Sequence, residues 1–379
     1  MQDPTITLLR DLVAIDSVNP SLVPGGAGEG AIAERIAAEL RASGISDVQV
    51  SVVAPGRPNV FGVIESGRPG PSLMLCGHSD TVGVEGMAAP FDPVMRDGKL
   101  FGRGAQDMKG GVASILGAAR RLASSPAGLA GRVIVAIVAD EEYASIGADA
   151  LVCEWKADAA IVTEPTDLQI GVGHKGFAWA TVETRGRAAH GSRPKDGRDA
   201  IMRMGRVLNR LERLDRELQA RRPHPLIGTG SLHASIIEGG RELSSYPDCC
   251  RLQVERRTVP GETVHTFAGE IDDLLAVLSR EDPEFDASKT LVFSRPPYEI
   301  PPAHELPPAL LAAAASAGIR TATTGMSFWT DAAILGGAGI PSVLFGPGGA
   351  GLHSVEEYVN VPDVIACRDA LASLARSWV

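Results

Sequence analysis

The chain has 379 residues, 44% hydrophobic and 22% charged, with a formal net charge of −10. It is long enough for two domains, and with no basic excess to neutralise phosphates, nucleic acid is not an expected partner. No stretch of about 18 apolar residues suggests a membrane span, and MQDPTITLLRDLVAIDS lacks the basic-then-apolar order of a signal peptide. The five cysteines, Cys76, Cys153, Cys249, Cys250 and Cys367, show no CxxC spacing. They speak against a disulfide framework or a thiolate zinc site, and for a reducing, cytoplasmic setting.

Leu8, Leu9, Leu12 and Val13 suit an opening helix. A second helix is expected over 30–43, with Ile32, Ile36 and Leu40 at helical spacing and Gly44 closing it. Apolar runs then predict strands over 59–64, 73–76, 133–139, 159–163 and 342–345, buried on both faces, with a helix over 110–123. This is α/β patterning, a mostly parallel sheet between helices.

Between Phe177 and Phe293 the rhythm changes. A strand over 177–184 is followed by an amphipathic helix over 199–220, strands over 231–237 and 249–254, a helix over 262–278 and a strand over 290–293. The order β-α-β-β-α-β is the ferredoxin-like arrangement. The expected organisation is a catalytic domain of residues 1–176 and 295–379, interrupted by an inserted domain of residues 177–294.

Ligands in open α/β sheets bind beyond the carboxyl ends of strands. After LMLC comes GHSD, with His78 and Asp80; after IVAIVA comes DEE, with Asp140, Glu141 and Glu142; after AAIVT comes Glu164; after SVLF a glycine-rich loop leads to His353. A further loop, GRGAQDMKGG, delivers Asp107 to a helix start. Taken singly, each has a bland explanation: a surface turn, a helix cap, a loop histidine. Five strand-to-loop junctions with ligand-type residues point instead to one centre. Two histidines and several carboxylates without cysteine suit zinc, cobalt or manganese, and one bridging carboxylate would make it a two-metal site. Asp80 could hold the second ring N–H of His78. Of the adjacent Glu141 and Glu142, one would bind metal and the other take a proton from the attacking water.

GHSDTV, GRGAQDMKGG, ADEE, TEPT, AAHGSRP, ERRTVPGE and GPGGAGLHSVEEYV, in this order, resemble the acetylornithine deacetylase, succinyl-diaminopimelate desuccinylase and glutamate carboxypeptidase family of di-zinc metallopeptidases and amidohydrolases. The resemblance spans nearly the whole chain. It implies two divalent ions, Zn2+ first and Co2+ or Mn2+ as alternatives. His78 and Glu164 would hold one ion, Glu142 and His353 the other, with Asp107 bridging and Asp80 orienting His78. Glu141 would be the general base for the metal-bound water. A cis peptide is implied after Asp107. The inserted domain would be a lid and dimerisation domain, making a homodimer. It would carry His190 as the oxyanion donor, contributed in cis or across the dimer, and Arg257 as the anchor of the substrate carboxylate. Relatives often have Asn near Ser245, so substrate placement by Ser245 departs from the pattern. Arg256 is expected to face away as a solvated cross-strand neighbour.

The implied activity is hydrolysis of the amide bond of an N-acyl amino acid. Aminoacylase, dipeptidase or carboxypeptidase action is the alternative for a small N-acyl or short peptide substrate. A non-catalytic binding protein ranks below both. GGAGEG, Gly25–Gly30, resembles a phosphate loop only superficially, follows no strand, and is expected to be a flexible loop. Asp331 is expected as a helix cap.

Overall fold

The structure is a computed structural model that describes residues 3–126 and 128–379. They fall into two compact units, the first within Met1–Val172, Ile300–Thr324 and Thr330–Val379, the second Gly173–Glu299 with Gly325–Trp329. The fold is mixed α/β.

In the first unit, Ser72–His78 lies parallel between Arg132–Val138 and Ala159–Val162, and Ser342–Leu344 continues parallel beside Ala159–Val162. Arg57–Glu65 and Asp47–Ala54 extend the sheet antiparallel on one side. On the other, Gly171 of the strand Ile170–His174 pairs antiparallel with Leu344. The apolar runs explain the arrangement. Every residue of Ser72–His78 is buried, and Leu73, Met74 and Leu75 each contribute about 1.5–3 kcal/mol by leaving water. Strands covered on both faces favour parallel pairing. The helices Pro4–Val13, Gly110–Ser124 and Val361–Trp378 pack on one another, and Gly110–Ser124 lies against Ser72–His78. Four parallel strands therefore end at one edge, each followed by a loop that carries a histidine or an acid.

Several elements went unread in the sequence. They are the edge strand Asp47–Ala54, the helices Ile146–Glu154, Leu306–Ser316 and Val361–Trp378, and a small antiparallel sheet. That sheet is built of Val94–Arg96, Lys99–Phe101, Tyr358–Asn360 and Gly349–Ala350. Its strands are only two or three residues long, too short to show a period.

The second unit runs strand Gly176–Arg185, helix Ala200–Ala220, strands Ser231–Gly239 and Cys249–Thr258, helix Val264–Glu281 and strand Asp286–Arg295. Its antiparallel sheet has the spatial order Ser231–Gly239, Cys249–Thr258, Gly176–Arg185, Asp286–Arg295. Asp199 caps the first helix by accepting from Met202 N, and Thr263 with Thr266 forms a capping box on the second. Ala178, Ala180, Val182, Leu252 and Val254 meet Met204, Leu211, Phe267 and Ile271 in one core.

Strand alternation decides the fate of the two arginines. Cys250, Leu252, Val254, Arg256 and Thr258 are the buried set of their strand. Arg256 is thus not solvated, as expected from the sequence, but 0% exposed. Its guanidinium pairs with Glu262 at 2.8 Å and Glu270 at 3.1 Å. Among the described residues, no helix is long and apolar enough to cross a membrane.

Candidate metal centre

The carboxyl edge of the parallel strands gathers His78, Asp107, Glu141, Glu142, Glu164 and His353. Ligand atoms of His78, Glu141 and Glu164 lie within 4.8 Å of one another, as do those of His78, Asp107 and Glu142. Asp107 faces both histidines with different oxygens: Oδ1 is 3.2 Å from His78 Nε2, and Oδ2 is 3.4 Å from His353 Nε2. His353 Nε2 is also 3.2 Å from Glu142 Oε2. Glu141 Oε2 is farther from His78 Nε2, at 3.9 Å.

The backbone places these groups by close approach. Gly104 sits at φ +76°, and a Cβ there would lie 2.6 Å from Thr81 Cγ2, so the loop before Asp107 admits only glycine. A Cβ on Gly111 would lie 2.2 Å from Thr163 O, so the helix after Asp107 packs directly on the strand end that carries Glu164. The Asp107–Met108 peptide is cis. Glu357, which the sequence reading passed over, organises the same loop. Its Oε1 accepts from Gln106 N at 2.9 Å and Asp107 N at 3.1 Å, its Oε2 from Gly104 N at 3.0 Å and Arg103 at 2.7 Å. Asp80 does more than face His78. His78 Nδ1 is 3.1 Å from the Asp80 carbonyl oxygen and 3.5 Å from its carboxylate. The Asp80 carboxylate accepts from Glu141 N and Glu142 N, each at 3.1 Å.

Crowded acids in a dry site resist ionisation. Burial raises the carboxyls of Glu141 and Glu164, and neighbouring negative charge adds to it. Glu142 is pushed up to about 7 by burial and by the charge of Asp107. Burial acts on Asp107 in the same sense, but hydrogen bonds from His353 and His78 outweigh it and hold that carboxyl well below the usual range. Burial disfavours a charged His78, yet its hydrogen bonds to Asp107 and Asp80 prevail and raise it. His353 rises to about 10 through its bonds to Asp107 and Glu142. Glu142 Oε1 and Glu164 Oε1 are buried and receive no hydrogen bond, at a cost of about 1–3 kcal/mol each. Divalent cations among these oxygens and imidazoles would remove both the orphaned acceptors and the repulsion. The donor set fits zinc-type ions.

The remaining sequence candidates belong to the second unit. His190 is exposed, with Nδ1 2.8 Å from Ser192 Oγ. It forms an isolated backbone bridge with Ser245, whose Oγ donates to Glu242 at 2.5 Å. Arg257 is partly exposed, its Nε paired with Glu255 and its guanidinium 5.5 Å from the Phe177 ring centre.

Two expectations change. Gly25–Gly30 is not a flexible loop. Gly28 N bonds to Val18 O at 3.0 Å, a Cβ on Gly26 would lie 2.5 Å from the same oxygen, and Glu29 is fully buried against Arg57. Asp331 stands at the N-cap position of Ala332–Gly337, but its side chain makes no capping hydrogen bond. It is buried, and its charge helps raise Glu141 and Glu164.

Residues 74–377 match peptidase family M20/M25/M40. Acetylornithine deacetylase of Myxococcus xanthus is 33% identical over 320 residues, covering 81% of this chain and 80% of that protein. Among solved structures, a tripeptidase of Staphylococcus aureus superposes with a TM-score of 0.82 at 22% identity, covering 98% of this chain and 97% of the other. A Bacillus subtilis protein described as a dinuclear metal binding peptidase of the M20 family gives 0.76 at 18% identity, covering 98% and 97%. The chain belongs to peptidase family M20/M25/M40.

Proposed function

We propose that this M20 family member, a metal-dependent amidohydrolase, cleaves the amide bond of N-acyl amino acids in the manner of an acetylornithine deacetylase or succinyl-diaminopimelate desuccinylase. The observation that carries this reading is Asp107, whose two oxygens face different histidines beside two buried carboxylate oxygens that receive no hydrogen bond. His78 and Glu164 would hold one ion and Glu142 and His353 the other, with Asp107 shared; zinc is the first choice. Bound there, the ions supply Lewis acidity for the scissile carbonyl and lower the pKa of an attacking water.

Glu141 then takes one proton from that water as its oxygen bonds to the carbonyl carbon. The same carboxyl returns the proton to the amine nitrogen as the C–N bond breaks. Burial raises its carboxyl above the ordinary range, the direction that helps a group that must first accept and then return a proton. Asp80 holds the backbone amides of Glu141 and Glu142, and so keeps base and ligand in register.

We read residues 177–294 as the family's ferredoxin-like lid and dimerisation domain, its element and strand order supporting that reading. His190 would donate to the oxyanion, in cis or from a second copy, with Ser245 beside it, and Arg257 would bind the substrate carboxylate through its planar fork. The edge strand Ser231–Gly239 carries Ile236 and Ile237, each 51% exposed. An open, apolar edge supports pairing with a second copy.

The test is a panel of N-acetyl, N-succinyl and longer N-acyl amino acids with di- and tripeptides, following release of primary amine with and without chelator. Chelator-sensitive release from the acyl amino acids supports the reading. Release only from peptides moves the function to dipeptidase or carboxypeptidase. No release from a protein loaded with two ions overturns it in favour of a binding protein.

A further inference from the structure

The turn after the strand Arg132–Val138 is held in an unusual way. Asp140 has φ +70°, a conformation that non-glycine residues seldom adopt. The backbone N–H groups of Asp140, Glu141 and Glu142 are all accepted by buried carboxylates: Asp140 N by Glu29 Oε1, Glu141 N by Asp80 Oδ1 and Glu142 N by Asp80 Oδ2, each at 3.1 Å. Among the described residues, no neighbouring strand shares this task.

Those carboxylates are themselves tied together. Arg57 donates its Nε and one terminal nitrogen to Glu29, and the same terminal nitrogen lies 2.9 Å from Asp140 Oδ1. Asn19 Nδ2 reaches Asp140 Oδ1 at 3.0 Å and Asp80 Oδ2 at 2.8 Å. Asn19 and Glu29 are 0% exposed, Asp140 1% and Arg57 4%. Three buried carboxylates thus share one guanidinium and one amide, each placed to serve two of them. Breaking such a set strands an uncompensated charge. The glycine-rich segment Gly25–Gly30 acquires its purpose here, since it carries Glu29 into the ring.

We infer that Asn19, Glu29 and Arg57 are positioning residues that fix the acid turn and so set the affinity of one metal position, the one Glu142 shares with His353. The inference rests on the ligand assignment proposed above. His78 and Glu164 arrive from other strand ends and Asp107 from the loop before the helix Gly110–Ser124, so the second position depends less on this ring. Glu141 rides on the same turn, so the ring also governs the placement of the base.

The experiment uses the full chain, stripped of metal and titrated with Zn2+ alone, with bound zinc counted after desalting and thermal melting followed on the stripped protein. Reference variants Glu142→Ala and Glu164→Ala should each lose one zinc. Arg57→Lys keeps the charge but not the fork, and Glu29→Gln keeps the shape but not the charge. Both should bind one zinc as the parent does and the second about 10–100-fold more weakly. In zinc excess their kcat falls while KM stays unchanged. Leu371→Ala, in the C-terminal helix, calibrates a general loss of stability and should keep both zincs.

Two undisturbed zincs in Arg57→Lys and Glu29→Gln would overturn the inference. So would loss of both zincs in step with melting temperature. If Glu142→Ala retains both ions, the ligand assignment falls first and the inference with it.

Discussion

The two units carry their polar residues in opposite ways. At the sheet edge of the first, the polar groups are crowded, mostly buried apart from the exposed His353, and held by several partners at once: Asp80 serves two backbone amides and Asn19, and Glu357 serves three amides and Arg103. In the second, His190 lies exposed and Ser245 partly exposed on loops, and Arg257 lies partly exposed on a strand. The contrast fits the roles proposed for the two sets. Groups that would hold ions need fixed geometry, set by their neighbours, and groups that would meet a substrate must remain open to it.

The sharpest challenge to this division is Glu141. Glu141→Ala should lower kcat by about 10²–10⁴-fold, the range for removing a general base, with metal content per chain unchanged. Parallel loss of metal would place Glu141 among the ligands, and the distinction between the two adjacent acids would disappear.

The next comparison lies within one strand. Arg256→Ala removes the buried cation from half-buried Glu262 and Glu270, leaving them only the partly exposed Arg221 at 3.3 Å from each, and should cost up to about 3–5 kcal/mol in the denaturant unfolding of the protein. Arg257→Ala should leave that transition within about 0.5 kcal/mol and instead raise KM for carboxylate-bearing substrates. If the two variants exchange these effects, the strand's inward and outward faces have been assigned the wrong roles.

The smallest effect concerns pH. His174 is fully buried, and burial lowers it to about 4 despite its bond to the Lys175 carbonyl. An unfolded histidine titrates near about 6.5. Between these values the unfolded chain binds the extra proton and the folded chain does not. Stability therefore falls as pH drops through that window, by at most about 1.4 kcal/mol per pH unit. Replacing His174 by Asn should flatten that part of the stability profile, measured by denaturant unfolding from pH 7 to 4. An unaltered slope would assign the acid sensitivity to other groups.

The candidate ligands at strand ends were legible because three buried apolar runs each stop at a residue type that seldom belongs there. The eye needs only the end of the run to find His78, Glu142 or Glu164. The ring beneath them was not legible. Asn19, Glu29 and Arg57 come from three separate segments, and nothing in a lone Arg before a strand says that it will be buried. Arg57 begins the strand Arg57–Glu65, whose other residues are buried up to its last, a weak signal that could have been followed. The helix Val361–Trp378 was simply overlooked: Val364, Cys367, Leu371 and Leu374 recur at helical spacing and are all buried. Arg256 was misjudged because a charge in a strand was taken as exposed, although its parity matched that of Leu252 and Val254.

Glu357 has a consequence for how the protein is made. It grips the loop around Asp107 from a place 250 residues later in the chain, and the adjoining strand Tyr358–Asn360 pairs with Lys99–Phe101. A growing chain on the ribosome holds His78, Asp107 and Glu142 long before it holds His353 or Glu357. Asp107 thus gains its backbone clamp only after 250 further residues have been made. On the ligand assignment proposed above, the centre could not close before His353 and Glu357 emerge, and metal loading would wait for them.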